Sequence, residues 1–341
     1  MKAWLLSRIG NVGSMASPLD WREVPTPQPG ENEVLIKVSC CGVCHTELDE
    51  IEGRTPPPRL PVIPGHQVVG FVIGTGKTAT RFHVGDRVGV GWIHSACGSC
   101  MFCISGKENL CPSFVATGRD RNGGYAEFLV VHEQFAHSIP AVFSDAEAAP
   151  LLCAGAIGYR SLKLAGVSDG QTLGLTGFGA SGHLVLKLAR HLYPQSKIYV
   201  FARSEKEQEF ARKLGASWAG APQEKAPGLS DAIIDTTPVW SSVVNALWQL
   251  RPGARLVINA IRKESADQHA LLGIRYHDHL WMEKEIKSVA NITRADIGEF
   301  LSVAAAIPLK SEIELYPFEQ ANRALVELRH KPVRGAKVLM L

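Results

Sequence analysis

The sequence predicts an α/β chain: a β-rich part, then a doubly wound parallel sheet, then a short return to the first part. Three observations predict it. Short apolar runs cut by Gly and Pro fill residues 1–150, and strand-length and helix-length segments alternate from Thr172. A glycine-rich turn, Gly177-Phe178-Gly179-Ala180-Ser181-Gly182, joins the first of those strands to its helix. The chain has 341 residues, room for about two domains. Hydrophobic residues at 45% and charged residues at 20% exclude a mostly disordered chain, which carries fewer apolar residues.

In the first part, segments 34–38, 68–73 and 84–90 read as strands bounded by turn residues. Pro25, Pro27 and Pro29, then Pro56, Pro57, Pro58, Pro61 and Pro64, make stiff connectors that rule out long helices. Residues 145–166 carry Ala-rich helical spacing. The alternation then runs strand 173–176, helix 181–192, strand 198–201, helix 204–214, strand 231–235, helix 240–250 and strand 255–258. This pattern implies parallel strands joined by crossover helices. The tail reads as helix 294–305, strand 313–316, helix 318–329 and a closing strand 336–340.

Lys plus Arg number 36 against 33 Asp plus Glu, with no basic run, so charge points to neither nucleic acid nor a membrane surface. No stretch approaches the ~20 consecutive apolar residues of a membrane helix. The opening Met1-Lys2-Ala3-Trp4 turns polar too soon for a signal peptide. The chain therefore reads as cytoplasmic. In that reducing setting, clustered cysteines point to metal binding or chemistry rather than disulfides.

Cys97, Cys100, Cys103 and Cys111 fall on one Gly-containing loop. Tetrahedral zinc takes four ligands at ~2.3 Å from sulfur, and short spacers let one loop wrap the ion. Four thiolates leave no open position, so this site would be structural. An iron–sulfur cluster also uses four thiolates, but the spacing fits it less well. Cys44, His66 and Cys153 are scattered, and spacing alone does not join them. Taken singly, His66 reads as a structural histidine and Cys153 as core packing. A catalytic zinc needs three protein ligands beside an open fourth position.

The turn at 177–182 carries a dinucleotide fingerprint. Gly177 permits the tight turn, Gly179 lets a pyrophosphate approach the backbone, and Gly182 lets helix and strand pack closely. The pyrophosphate would sit on the helix N-terminus, with Phe178, Ala180 and Ser181 completing the turn. The next strand ends Phe201-Ala202-Arg203-Ser204. An NAD site places an acid there for the ribose 2′-OH. Ala202 removes repulsion of a 2′-phosphate and Arg203 offers a guanidinium to it, with Ser204 beside them. NADP(H) is the expected cofactor, with NAD(H) the alternative.

Together these residues resemble the zinc-dependent alcohol dehydrogenases of the medium-chain dehydrogenase/reductase superfamily. The match takes in segments 42–46, 64–66 and 85–88, the four-Cys loop, segment 123–127, the Cys153 segment, the 177–182 turn and segment 334–338. It thus runs over nearly the whole chain. The resemblance implies a GroES-like catalytic domain over 1–152 and 286–341, and a Rossmann domain inserted at 153–285. It implies two Zn2+ per chain: a catalytic ion on Cys44, His66 and Cys153, and a structural ion on Cys97, Cys100, Cys103 and Cys111. It further implies that Thr46 begins a proton relay, that His45 lies near the cofactor pyrophosphate, that Arg334 contacts the cofactor, and that Trp92 lines the substrate pocket. A homodimer or homotetramer is implied as well.

Two departures stand out. Gln67 replaces the Glu that usually follows the ligand histidine, and Asp49 replaces the His that ends the relay in many members. Asp49 reads either as a relay end or as a solvated surface residue. The implied reaction is reversible hydride transfer between a primary or secondary alcohol and NAD(P), giving an aldehyde or ketone. Zinc lowers the pKa of the hydroxyl and Thr46 takes its proton. The alternatives are an enone or quinone reductase of the same fold, which lacks these ligands, a thiol redox sensor using Cys40, Cys41 and Cys44, and a binding protein without turnover.

Overall fold

The strand Glu33–Val43 organises the first part of the molecule. The computed structural model describes residues 1–307, 309–330 and 335–341. Val34, Ile36, Val38, Cys40 and Cys41 are buried along this strand, which pairs antiparallel with Val68–Thr75 on one side. Its other side is shared: the first half pairs with Phe128–His132 and residues 40–43 pair with Ala336–Met340. Arg87–Val90 and Ala136–Ser138 extend the sheet beyond Val68–Thr75, and Ile313–Pro317 extends it beyond Ala336–Met340. Seven strands make this sheet among the described residues.

The second sheet is parallel throughout, with six strands among the described residues. Its order is Trp218–Gly220, Lys197–Phe201, Thr172–Thr176, Ser230–Asp235, Leu250–Ile258, Glu285–Ser288. The first strand in sequence thus lies centrally beside the fourth. This is the doubly wound arrangement, whose order reverses at that pair. The helices Ala180–Leu192, Glu205–Lys213 and Trp240–Trp248 make the crossovers.

The chain divides into two compact units, Met1–Ala156 with Ile292–Leu341, and Ile157–Asn291. The divisions expected at 153 and 286 therefore shift later. The strand Glu285–Ser288 keeps the chain with the parallel sheet by pairing with Arg255, Leu256, Val257 and Ile258.

Other expectations need correction. The helical stretch 145–166 is broken into a helix Asp145–Ala148, a 3-10 turn Ala149–Leu152 and a helix Ala154–Ala165. Pro150 has no N–H and cannot continue an α-helix, and Cys153 turns out of helical geometry at φ −129°, ψ −80°. The strand expected from 84 begins at Arg87, after a turn in which Asp86 accepts the His83 N–H. The last helix is Ala321–His330, entered through a 3-10 turn Phe318–Gln320. Among the described residues, no helix is long and apolar enough to cross a membrane.

Candidate active site

Cys44 follows the strand Glu33–Val43 directly and caps the helix His45–Ile51, its sulfur accepting the Thr46 N–H at 3.3 Å. Glu47 closes the cap from the other direction. Its Oε2 accepts the Cys44 N–H at 2.8 Å, and its Oε1 lies 2.6 Å from His66 Nδ1. One fully buried carboxylate therefore orients two of the three candidate ligands.

With Nδ1 turned to Glu47, His66 presents Nε2 to the sulfurs, 3.7 Å from Cys44 and 3.4 Å from Cys153. A tetrahedral zinc bound at ~2.3 Å to sulfur and ~2.0 Å to nitrogen requires edges of roughly 3.5 Å. The break in helical geometry at Cys153 supplies the third corner. His66 follows Gly65, which has φ +97°, and an added Cβ there would stand 2.4 Å from the Tyr125 ring. No other side chain fits at this bend.

The electrostatics also fit a cation. The bond to Cys153, burial and the Glu47 charge all push the Cys44 thiol well up. Burial disfavours a charged His66, but Glu47 and Cys44 outweigh it and push that pKa well up. With the Cys44 thiol and the His66 imidazole both pushed up beside the Glu47 carboxylate, a metal ion here would supply the positive charge that favours the Cys44 thiolate. The residues present therefore fit a catalytic zinc, with Glu47 as the second-layer partner that zinc-bound histidines use.

The four-Cys loop forms a second cluster, and its four sulfurs lie within 4.8 Å of one another. Cys97 Sγ is 3.9 Å from Cys103 Sγ and 3.5 Å from Cys111 Sγ, again tetrahedral edge lengths. The N–H groups of Ser99 and Cys100 hold the exposed Cys97 thiol down at about 6, which favours a thiolate ligand. Glu108 anchors the loop by accepting the Arg294 N–H at 2.7 Å and its Nε at 3.0 Å.

Thr46 is buried in the first turn beside Cys44, while His45 is exposed. Asp49 is buried and ion-paired with Arg54 Nε at 2.5 Å, which overturns its reading as a solvated surface residue. Gln67 is buried, and its Oε1 lies 2.5 Å from where a Cβ on Gly42 would stand. Trp92 is half-buried, with Phe114 at 5.3 Å and the Arg119 guanidinium over its ring at 5.2 Å. Arg119 in turn makes two bonds to Asp120, each 2.9 Å.

The turn at 177–182 is built on its glycines. Gly177 takes φ +80° directly after Thr176, and an added Cβ would meet Thr236 Oγ1 at 2.7 Å. A Cβ on Gly179 would meet nothing within 4 Å, and one on Gly182 would strike the Gly177 carbonyl at 2.6 Å. No side chain caps the helix Ala180–Leu192, so its first N–H groups remain for an anion. Phe178 is buried against Phe210, and Ser181 is half-buried. Arg203 is exposed beyond the strand Lys197–Phe201. Ser204 caps the next helix through the Glu207 N–H. Arg334 lies outside the described residues.

Residues 30–141 match the family described as the alcohol dehydrogenase GroES-like domain. The chain is 40% identical to the probable alcohol dehydrogenase AdhA of Mycobacterium tuberculosis, over all of this chain and 97% of that protein. It is 32% identical to an alcohol dehydrogenase of Geobacillus stearothermophilus, over 97% of this chain and 98% of that one. This chain belongs to the zinc-containing alcohol dehydrogenases. Among solved structures, it resembles the cobalt- and zinc-bound thermostable alcohol dehydrogenase of Pyrobaculum aerophilum, at TM-score 0.85 and 26% identity, over 100% and 99% of the two chains.

The alcohol dehydrogenase is a zinc- and NAD(P)-dependent enzyme that interconverts alcohols with aldehydes or ketones. Its leftover cysteines do not suit a thiol switch. Cys40 and Cys41 are fully buried, and burial pushes Cys40 up to about 12 and Cys41 well above the usual thiol range. Sequence reasoning missed Glu47, although a Glu at the third position of a capped helix was a readable signal.

Proposed function

We propose that this alcohol dehydrogenase prefers NADP(H), with Thr46 as the proton acceptor at the reacting hydroxyl and Trp92 as a wall of the substrate pocket. When bound, zinc supplies a Lewis acid that favours a deprotonated hydroxyl, and the nicotinamide donates or receives the hydride. Thr46 and Asp49 are three residues apart on one helix and so share a face. Thr46 takes the hydroxyl proton and Asp49 receives it, with Arg54 holding that carboxylate in place through its ion pair. The observation that carries the reading is the Glu47–His66 contact at 2.6 Å, which aims Nε2 at both sulfurs.

The NADP(H) preference rests on Ala202 and Arg203. Ala202 is buried and places no carboxylate at the strand end, while Arg203 stands exposed beside it. His45 is proposed to meet the pyrophosphate and Arg334 another part of the cofactor; Ser204 is proposed to border its ribose while serving as a helix cap.

A homodimer through the outer strand of the parallel sheet completes the proposal. Glu285–Ser288 is the last strand of that sheet and is exposed along its whole length. Trp281, Met282 and Ile286 are exposed in the same stretch of chain. Strand edges of this kind invite pairing with another copy. The cytoplasm is the proposed compartment, where free thiols remain available to zinc.

The test is aldehyde reduction by zinc-loaded protein, with NADPH and NADH side by side at matched concentrations. A much larger kcat/KM with NADPH supports the reading of residues 202–204. A preference for NADH overturns that reading and leaves the dehydrogenase assignment standing.

A further inference from the structure

A buried ion pair lies where the strand order of the parallel sheet reverses. Thr176 ends the first strand of that sheet and Asp235 ends the fourth, and the two are direct partners in register. Asp235 is fully buried, and its carboxylate accepts Thr176 Oγ1 at 2.5 Å and Thr237 Oγ1 at 2.8 Å. It also accepts the Thr237 N–H at 3.3 Å and pairs with Lys263, which comes from the loop after Leu250–Ile258 and is itself only 7% exposed. Lys263 Nζ also donates to the Thr237 carbonyl at 2.8 Å and the Val239 carbonyl at 3.2 Å. An ammonium carries three protons, so these partners use all of its donors.

The loop that Lys263 ties down is the one Gly177 leans on. Thr236 donates N–H and Oγ1 to the Thr176 carbonyl, each at 3.0 Å. A Cβ on Gly177 would sit 2.8 Å from Thr237 Cγ2. Three loops, after the first, fourth and fifth strands of the sheet, thus meet at one buried charge pair. In doubly wound sheets, ligands enter the crevice outside the carboxyl ends of the strands at this reversal point.

We propose that Lys263 is a positioning residue for the dinucleotide. Through Asp235 and the two carbonyls, it fixes the 236–239 loop against Gly177. It also neutralises an anion that would otherwise stand bare where the pyrophosphate arrives. This inference rests on the 177–182 turn being the cofactor site. A buried carboxylate stripped of its counter-charge costs far more than a missing pair, because its threonine hydrogen bonds make good only part of its lost hydration. Lys263→Met leaves that bare charge. Asp235→Asn combined with Lys263→Met removes the charge and leaves only the lost tether.

The experiment measures the NADPH dissociation constant by cofactor fluorescence, the KM and kcat of aldehyde reduction, and the Tm of each zinc-loaded variant. Lys263→Met is expected to weaken NADPH binding about tenfold or more and to raise KM in step, with kcat moving much less. The double variant is expected to recover part of that affinity, as coupled neighbours do. NADPH affinity in Lys263→Met equal to wild type overturns the inference, whatever happens to Tm. If the single variant does not fold, the double variant decides: weakened binding at native Tm supports the positioning role, and unchanged binding overturns it. A wild-type protein that binds neither dinucleotide removes the site reading, and this inference with it.

Discussion

Replacing Glu47 by Gln tests the metal centre at the contact that orients it. The carboxylate serves two donors, the Cys44 N–H at 2.8 Å and the His66 ring at 2.6 Å. Glutamine keeps the size but has one acceptor oxygen for those two donors, and its NH2 faces whichever donor is left. One charge-assisted hydrogen bond is lost, worth about 1.5–3 kcal/mol. At about 1.4 kcal/mol per factor of ten, catalytic zinc affinity should fall roughly 10- to 100-fold, the range typical of second-layer partners of a metal. The four-Cys site shares no hydrogen bond with Glu47 and should keep its ion. Titration with a chromogenic chelator, followed by metal analysis, should therefore show two zinc ions held by wild type and one released early from Glu47→Gln. Release curves that superimpose for the two proteins would refute the argument that Glu47 aims and strengthens His66.

Three further outcomes follow from the same structure. Ala202→Asp places a carboxylate at the strand end beside Arg203, and the NADPH-to-NADH ratio of kcat/KM should drop about 10-fold or more; an unmoved ratio would show that this strand end does not face the ribose. Gly177→Ala forces a side chain into φ +80° with its Cβ 2.7 Å from Thr236 Oγ1, so urea denaturation should show a loss of at least ~1–3 kcal/mol. His137 is buried neutral, with burial the main cause that pulls it from 6.5 down to about 3. Because the unfolded chain takes up a proton that the folded one refuses, stability is full above pH ~6.5 and is lost as pH falls from there towards ~3, by on the order of a few kcal/mol. His137→Asn should flatten that acid slope in pH-dependent melting, and an unchanged slope would assign acid sensitivity elsewhere.

Much of the parallel-sheet unit was legible because its signals are local. A strand, a glycine turn and a helix follow one another within the span of residues 172–192, and each is set by neighbours in sequence. The four-Cys loop is legible for the same reason. The catalytic trio is different. Cys44, His66 and Cys153 come together only through the pairing of Glu33–Val43 with Val68–Thr75 and the break at Cys153. No spacing rule encodes this, and only the resemblance joined them. The strand Glu285–Ser288 escaped notice because Glu-Ile-Lys-Ser reads as a polar surface segment, and an edge strand needs no apolar run. The Asp235–Lys263 pair was invisible because its members sit in different loops and meet only where the sheet order reverses.

The last pairing in the first unit sets a timetable. Residues 40–43, which lead directly into Cys44, gain their neighbour on one side from Ala336–Met340, almost 300 residues later in the chain. The segment Ile157–Asn291, by contrast, has all six of its strands within one continuous stretch. During synthesis the unit Ile157–Asn291 therefore has all of its strands while the scaffold of the metal centre still waits for a missing one. Nascent Cys44 and His66 spend that interval in an unfinished sheet. Loading of the catalytic ion is therefore expected only once residues 336–340 have emerged, and a ribosome-stalled chain ending before residue 336 is expected to bind less zinc at Cys44, His66 and Cys153 than the released protein.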